Sequence, residues 1–538
     1  MAFGVLQSEK VPFPVGTVLL ESTTSASSTL GALGKINLSP LPSSSPRDPL
    51  NWSKVRKELF FLVIIFGSCL NGVLGPVLVP AFGIIQTSLD ISLTKVSLLN
   101  GALIMGLGLS SYLYPILATV VGKRPVFLLT SVILVASSCW GGGAKSYSSL
   151  LGARTVQGLG MGSFLSLSGT ASINDVFFVH ERGFRVGLWN AAVIVSINVA
   201  PIISSRIIVA CGWRWAFWIL AISFGVLVGA TLVGMPETSF DRNGIEGEVV
   251  VGNEDPDAAK LSERNATKSG FGEDSATIQS SLPPVREIGK LEMLPITFQS
   301  TLHPCPASQG SFKDAGLSMI RALRLLRHPA TIWACIIWSV MFSWVIILGV
   351  VASQIFAAPP YNMTPTAVGN LIGIPPLIGS LLGTVLGGYF CDFVALRLSH
   401  QNGGVYEPEF RLWTIFVSCI VPLAVGVFGL GQAISNGSSA IVCGFFLASL
   451  NFAIGTGCTT IVAYSNDVFG DEAGEVFGLA MLVKSSFAFG LTFMLNDYYA
   501  FHGPRGFFFT WGSLSLGLTL FGTIPMYIYG KRARAWAK

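Results

Sequence analysis

Residues 331–356 read TIWACIIWSVMFSWVIILGVVASQIF, twenty-six positions without one charged side chain. The hydrocarbon of a bilayer is about 30 Å thick, and an α-helix crosses it in roughly 20 mostly apolar residues. A run this long, without the alternation of a barrel strand, predicts a membrane-crossing helix. Working outward from it, the same reading gives 58–80, 96–117, 124–143, 148–172, 186–210 and 213–234 on its N-terminal side. On its C-terminal side it gives 366–390, 412–432, 438–464, 474–498 and 506–528, for twelve spans in all.

The composition agrees. Of 538 residues 51% are hydrophobic and 11% charged, against about 25% charged in soluble domains. That excludes a soluble enzyme, a nucleic-acid binder and a disordered scaffold. The net charge of +5 is no footprint for DNA, because its placement matters more than its total. Most of the nine Cys, such as Cys139, Cys335 and Cys443, fall inside apolar runs and read as small buried hydrophobes.

Lys and Arg orient the chain. On a twelve-span plan 26 of them share the side of the N-terminus and 5 take the other, with Arg154 and Lys484 inside spans. Without the long central loop the split is still 16 to 5. Both termini are therefore expected in the cytosol, with the plasma membrane as the default location. Residues 1–57 form a polar, mostly disordered tail, Ser/Pro-rich at Leu41–Pro46, and the first span is expected to act as its own insertion signal. The expected units are then a six-helix bundle at 58–234, a cytosolic loop at 235–330, a second bundle at 331–530 and a tail at 531–538. Within the loop, 311–328 reads either as a basic amphipathic helix on the inner leaflet or as the start of span 7.

A repeat relates the halves. Asn174-Asp175-Val176-Phe177, then Gly183-x-x-x-Gly187-Leu188, follows span 4; Asn466-Asp467-Val468-Phe469, then Gly474-x-x-x-Gly478-Leu479, follows span 10. The same two elements at the same topological position predict an all-α polytopic fold of twelve transmembrane helices in two pseudo-symmetric six-helix bundles around a central site.

Further motifs occur in order. Pro46-Arg47-Asp48-Pro49-Leu50-Asn51-Trp52 precedes span 1, and Gly122-Lys123-Arg124-Pro125 follows span 2. Arg154-x-x-Gln157-Gly158-x-Gly160 lies in span 4, Gly212-Trp213-Arg214-Trp215 opens span 6, and Pro236-Glu237-Thr238 closes it. Pro359-Pro360-Tyr361-Asn362 and the run from Asn402 to Trp413 flank span 8. Together these resemble the major facilitator superfamily, and within it the fungal drug/proton-antiporter-like group, from about residue 46 to 530. The resemblance implies a secondary transporter of a small organic molecule working by alternating access, with proton-coupled efflux. It departs at Pro115 and Thr119, where the family carries Gly and the gating Asp; the second half keeps that pattern as Gly388 and Asp392. In span 5 the antiporter motif appears only as Ala200-Pro201-x-x-Ser204-Ser205.

Candidate substrate-binding residues follow from polarity inside spans. A charge at mid-span costs roughly 2.5–3.5 kcal/mol on insertion scales, so Arg154 and Lys484 should face a partner or a watery cavity. For Arg154 the alternative is a structural role, capped by the carbonyls of a neighbouring span. Gln157, Asn71, Asn198, Trp338, Trp344 and Asn451 complete the set, with Ser343 and Thr459 beside them; each Trp alternatively only packs helices. No Asp or Glu lies in the middle third of any span, which favours a neutral or anionic substrate over a polycation. Lys123, Arg124, Asp175, Glu181, Arg182 and Asp392 read as an inter-half gating latch or as ordinary solvated loop charge. No metal site, cofactor or nucleic-acid partner is expected; the partners are a small organic substrate, protons on the family's account and membrane lipid, around a monomer. Rival readings are an importer or uniporter, a non-transporting membrane sensor and a polytopic enzyme. The five His are scattered, and no phosphate-binding G-x-x-x-x-G-K-[ST] loop is present for ATP-driven pumping.

Overall fold

The computed structural model describes residues 14, 16–19, 48–240 and 312–536. The Ser/Pro-rich tail, Pro46-Arg47 and most of the central loop lie outside the described residues. Besides a short 3₁₀ turn at Pro49–Asn51, thirteen helical runs are present among those described. They are α1 (Lys54–Leu89), α2 (Leu93–Val121), α3 (Lys123–Gly143) and α4, which starts as Tyr147–Gly162, turns π-helical over Ser163–Ser172 and ends as Ile173–Val176. Next come α5 (Val179–Cys211), α6 (Trp213–Gly234), α7 (Phe312–Arg324), α8 (Pro329–Ala357) and α9 (Pro365–Gln401). The last are α10 (Pro408–Ser435), α11 (Ala440–Phe469), α12 (Ala473–Thr492) and α13 (Leu495–Trp536).

Eleven of these are long and apolar enough to cross a membrane. The twelfth crossing is α4, poorer in apolar residues yet required to join the far end of α3 to the near end of α5. Only α7 lies outside the two bundles. The face where α1 begins and α13 ends is called the terminal face here, its opposite the distal face.

Local chemistry sets several boundaries. Ser92, Ser146 and Thr364 cap α2, α4 and α9, each accepting a backbone N–H three residues on. Gly122 and Gly212 take φ of +90° and +89°, so α3 and α6 start one residue after the preceding helix ends. Gly75-Pro76 interrupts α1, which is 3₁₀-helical over Pro76–Ala81. Pro375 and Pro376 sit inside the continuous α9.

The packing is doubled. In the first bundle α2 and α3 pack on α4, α3 on α6, and α1 on α5 and α6. In the second α9 and α10 pack on α11, α10 on α13, and α8 on α12 and α13. The bundles meet through α2 with α12 and α5 with α9, which are pseudo-equivalent pairs. Small residues permit the closest approaches. A Cβ on Gly106 would lie 2.7 Å from the Thr155 carbonyl of α4, and one on Gly383 of α9 would strike the Phe452 carbonyl of α11. Gly383→Leu is accordingly expected to force α9 off α11 and cost about 1–3 kcal/mol. A lowered melting midpoint of the purified protein checks this, and an unchanged midpoint contradicts the packing.

Several helices outrun the apolar stretches that announced them. α1 spans Lys54–Leu89 where 58–80 was expected, and α13 continues through residues 531–536, expected as tail. Backbone hydrogen bonds carry a helix past the hydrocarbon wherever polar side chains find partners there. For α13 those partners are Glu407 and Glu409, which pair with Lys531 and Arg534. The run Leu495–Trp536 breaks at Gly503 (φ +67°), and its leading turns lie at the distal face.

Candidate functional site

Arg154 stands in the second turn of α4 with no exposed surface. Its Nη2 donates to the Leu74 carbonyl (2.9 Å) and to Asn100 Oδ1 (3.3 Å), and its Nη1 to Gln157 Oε1 (3.1 Å). Gln157 in turn donates to Ser138 Oγ (3.0 Å), and the Phe217 ring lies 6.0 Å from the guanidinium. The Leu74 carbonyl is available because α1 stops being α-helical there, before Gly75-Pro76. Arg154 and Gln157 thus share one network joining α1, α2, α3 and α4 inside the first bundle. The Leu74 contact is a carbonyl cap from a neighbouring span, while Arg154 Nε is buried without a hydrogen-bond partner among the described residues.

Lys484 is placed differently. Its side chain in α12 is 5% exposed, and Nζ sits 4.0 Å from the centre of Phe342 and 5.3 Å from that of Trp338, both on α8. Phe477 packs edge-on against Trp338 at 5.0 Å. Among the described residues no carboxylate pairs with this ammonium. The aromatic faces offer cation–π attraction. Phe342, absent from the expected set, lies four residues beyond Trp338 on one helical face, a spacing that could have revealed it.

The other candidates separate. Asn198 donates to Ser380 Oγ (3.1 Å), so it joins α5 to α9 across the bundle interface. Trp344 donates to Ser515 Oγ (3.0 Å) and stacks on Phe508, joining α8 to α13. Asn71 and Asn451 each donate to the carbonyl four residues back, at 2.7 and 2.9 Å. Asn71 Oδ1 is buried without a hydrogen-bond partner among the described residues. The expected set is therefore not one cluster: Trp338 and Lys484 meet, Arg154 and Gln157 meet, and the remaining side chains serve their own helices or helix–helix contacts.

At the terminal face the charges form networks within each bundle. Lys123 pairs with Asp175. Glu237 accepts the backbone N–H groups of Lys123 and Arg124 at 3.1 and 3.0 Å, and Arg124 donates to the Leu232 carbonyl (2.9 Å). Arg182 binds the carbonyls of Phe177 and Asn174 at 2.9 and 2.7 Å. Glu181 begins α5 beside it. In the second bundle Arg411 bridges Asp392 and Asp467, both at 2.6 Å. Lys123–Asp175 and Arg411–Asp467 are counterparts, each linking the start of a bundle's third helix to the repeated Asn-Asp-Val-Phe at the end of its fourth. Thr119, in place of the family's Asp, donates only to the Ile116 carbonyl (2.7 Å), so Asp392 has no equivalent.

At the distal face the bundles are tied together. Gln354 donates to Asn496 Oδ1 (2.7 Å), and Asn496 to Ser97 Oγ (2.8 Å), linking α8, the leading turns of α13 and α2. Val79 of α1 lies 3.6 Å from where a Cβ on Gly349 of α8 would stand. Among the described residues no group of three or more His, Cys, Asp or Glu is placed to hold a metal ion.

Comparison with known proteins completes the picture. The family model described as Major Facilitator Superfamily matches residues 60–493. The chain is 26% identical to an uncharacterised MFS-type transporter of Schizosaccharomyces pombe, over 97% of this chain and 92% of the relative. It is 24% identical to Protein HOL1 of Saccharomyces cerevisiae, over 93% and 90%. Among solved structures the D-xylose-proton symporter aligns with a TM-score of 0.57 at 14% identity, over 86% of this chain and 97% of its own, a likeness of fold.

Proposed function

The chain belongs to the Major Facilitator Superfamily, whose members are transporters and not enzymes, and on that premise we propose that it moves a neutral or anionic small organic molecule by alternating access, as proton-coupled efflux. The observation that carries the substrate class is the setting of Lys484 against Trp338 and Phe342. An ammonium held by aromatic rings, with no carboxylate partner among the described residues, suits an anionic or strongly polar acceptor group and repels a polycation. Arg154 stands apart from this site, its Nη1 and Nη2 engaged with Leu74, Asn100 and Gln157 inside the first bundle. Trp338 and Phe342 provide flat apolar surface for the rest of an amphipathic ligand. The direction rests on the drug/proton-antiporter-like motifs alone.

In this reading the terminal face is cytosolic, supported by the 26-to-5 split of basic residues, and the protein works as a monomer in the plasma membrane. The distal contacts hold the outer side closed. Lys123, Arg124, Asp175, Glu181, Arg182 and Asp392 exchange partners across the bundles when the inner side closes. Asp392→Asn is expected to slow flux severalfold while moving stability by under about 1 kcal/mol, since its carboxylate is mostly exposed. Paired flux and melting measurements check it; a large loss of stability contradicts the gating role.

Untargeted metabolite profiling of cells with and without the chain, inside and outside, identifies the cargo. Proteoliposomes carrying it, under an imposed pH gradient of either sign, test the coupling. Gradient-driven flux of an organic anion or neutral compound is expected. Flux indifferent to the gradient ends the proton claim, and a polycationic cargo ends the assignment of Lys484.

A further inference from the structure

A piece of the chain that precedes the first bundle in sequence is docked on the second. Strand β1 (Val18–Leu19) pairs antiparallel with β2 (Val405–Tyr406), with Val18 opposite Tyr406 and Leu19 opposite Val405. Thr17 closes a turn onto the Pro14 carbonyl (3.1 Å), and Pro14 is buried. The Thr17 hydroxyl donates to Glu407 Oε2 (2.9 Å) and accepts from Arg534 Nη1 (3.2 Å). Gly16 has φ of +87°, and a Cβ there would lie 2.5 Å from the Asp467 carbonyl and 2.9 Å from the Pro408 ring. The seat is therefore shaped for a glycine followed by a hydroxyl.

The seat is built from four elements of the second bundle: the α9–α10 connection, the start of α10, the end of α11 and the end of α13. Its floor is ionic and buried. Glu407 pairs with Lys531 and Arg534, and Arg534 forks onto Glu409 at 2.9 and 2.7 Å. The tail's other end is fixed to the first bundle. There Lys57 Nζ donates to the Leu50 carbonyl (3.0 Å), and Trp52 packs edge-on against Phe60. Twenty-eight residues separate Leu19 from Asp48 in the sequence.

The docked strand touches the charge cluster. Tyr406, opposite Val18, donates its hydroxyl to Asp467, and Arg411 donates to that hydroxyl (2.8 Å) while it bridges Asp467 and Asp392. Burial, with the Asp467 charge beside it, pushes the Tyr406 phenol well above its ordinary range, so it stays a donor. We propose that the N-terminal segment Gly16–Leu19 is a cis ligand of this seat, and that its occupancy holds Tyr406 and the Arg411–Asp392–Asp467 cluster within the second bundle, restraining closure of the terminal face. Vacating the seat frees the cluster to take partners from the first bundle. This rests on the alternating-access reading, but docking is measurable without any substrate.

The test uses the full chain in nanodiscs and four forms: wild type, Gly16→Val, Thr17→Asp and Thr17→Ser. The valine collides with the Asp467 carbonyl, the Asp sets a carboxylate against Glu407, and the Ser keeps the hydroxyl. Hydrogen exchange over Val18–Leu19 and Val405–Tyr406 should quicken at least tenfold in the first two variants and match wild type in Thr17→Ser. Equal exchange in all four overturns the seat. Nitroxide labels on p-acetylphenylalanine at Lys54 and Glu472 then report the distance across the terminal face. Undocked variants should populate the shorter distance at least threefold more than wild type; an unchanged or lengthened distribution in a variant shown to be undocked overturns the restraint. Failure to find gradient-driven flux would count against the transport reading while leaving both of these results standing.

Discussion

Lys484→Gln is expected to abolish substrate-dependent flux while the protein inserts and folds as wild type. The substitution removes a charged donor from beside the Trp338 and Phe342 rings and leaves no broken pair behind, since no carboxylate among the described residues depends on it. Losing one charge-assisted hydrogen bond to a ligand costs about 1.5–3 kcal/mol, roughly 10- to 150-fold in affinity. Folding should not suffer, because a charge within a span itself costs roughly 2.5–3.5 kcal/mol on insertion scales. Lys484→Arg, which keeps the charge but not its compact shape, should retain part of the binding. Ligand-dependent thermal shift and flux on the same preparations check this. Wild-type affinity in the Gln variant would remove Lys484 from the site.

Arg154→Gln should fail in the opposite manner, through loss of the folded protein. Three hydrogen bonds from a fully buried guanidinium would vanish, leaving the Leu74 carbonyl and Asn100 Oδ1 without their donor. Each buried acceptor left unsatisfied costs about 1–3 kcal/mol. Arg154→Lys should also fail, because one ammonium cannot reach Leu74, Asn100 and Gln157 in the planar arrangement a guanidinium provides. The measure is the yield of monodisperse protein and its melting midpoint. Well-folded, transport-dead Arg154→Gln protein would return Arg154 to the substrate site.

The contrast between these cations marks what the sequence can convey. Apolar run length and the repeated Asn-Asp-Val-Phe were enough for the twelve crossings and their pseudo-symmetry, because both are properties of single helices or of helix order. Partners across the bundle were not legible. Arg154 and Lys484 are each a lone charge in a greasy run. Only packing reveals that one meets a freed carbonyl at a helix break and the other meets two rings. Asn198 and Trp344 look like cavity polar groups until Ser380 and Ser515, each more than 150 residues away, satisfy them. The Glu407–Arg534 cluster was not legible because its members lie 127 residues apart, in segments whose composition reads as ordinary loop and tail.

The final turn of α13 carries a practical warning for anyone trimming this chain for expression. A stop codon after Gly530 would appear to remove only a basic stub. It would also withdraw Lys531 and Arg534 from two fully enclosed carboxylates, a mismatch of the kind that costs several kcal/mol. Purification handles belong beyond Lys538 on a spacer, so that those cations stay seated.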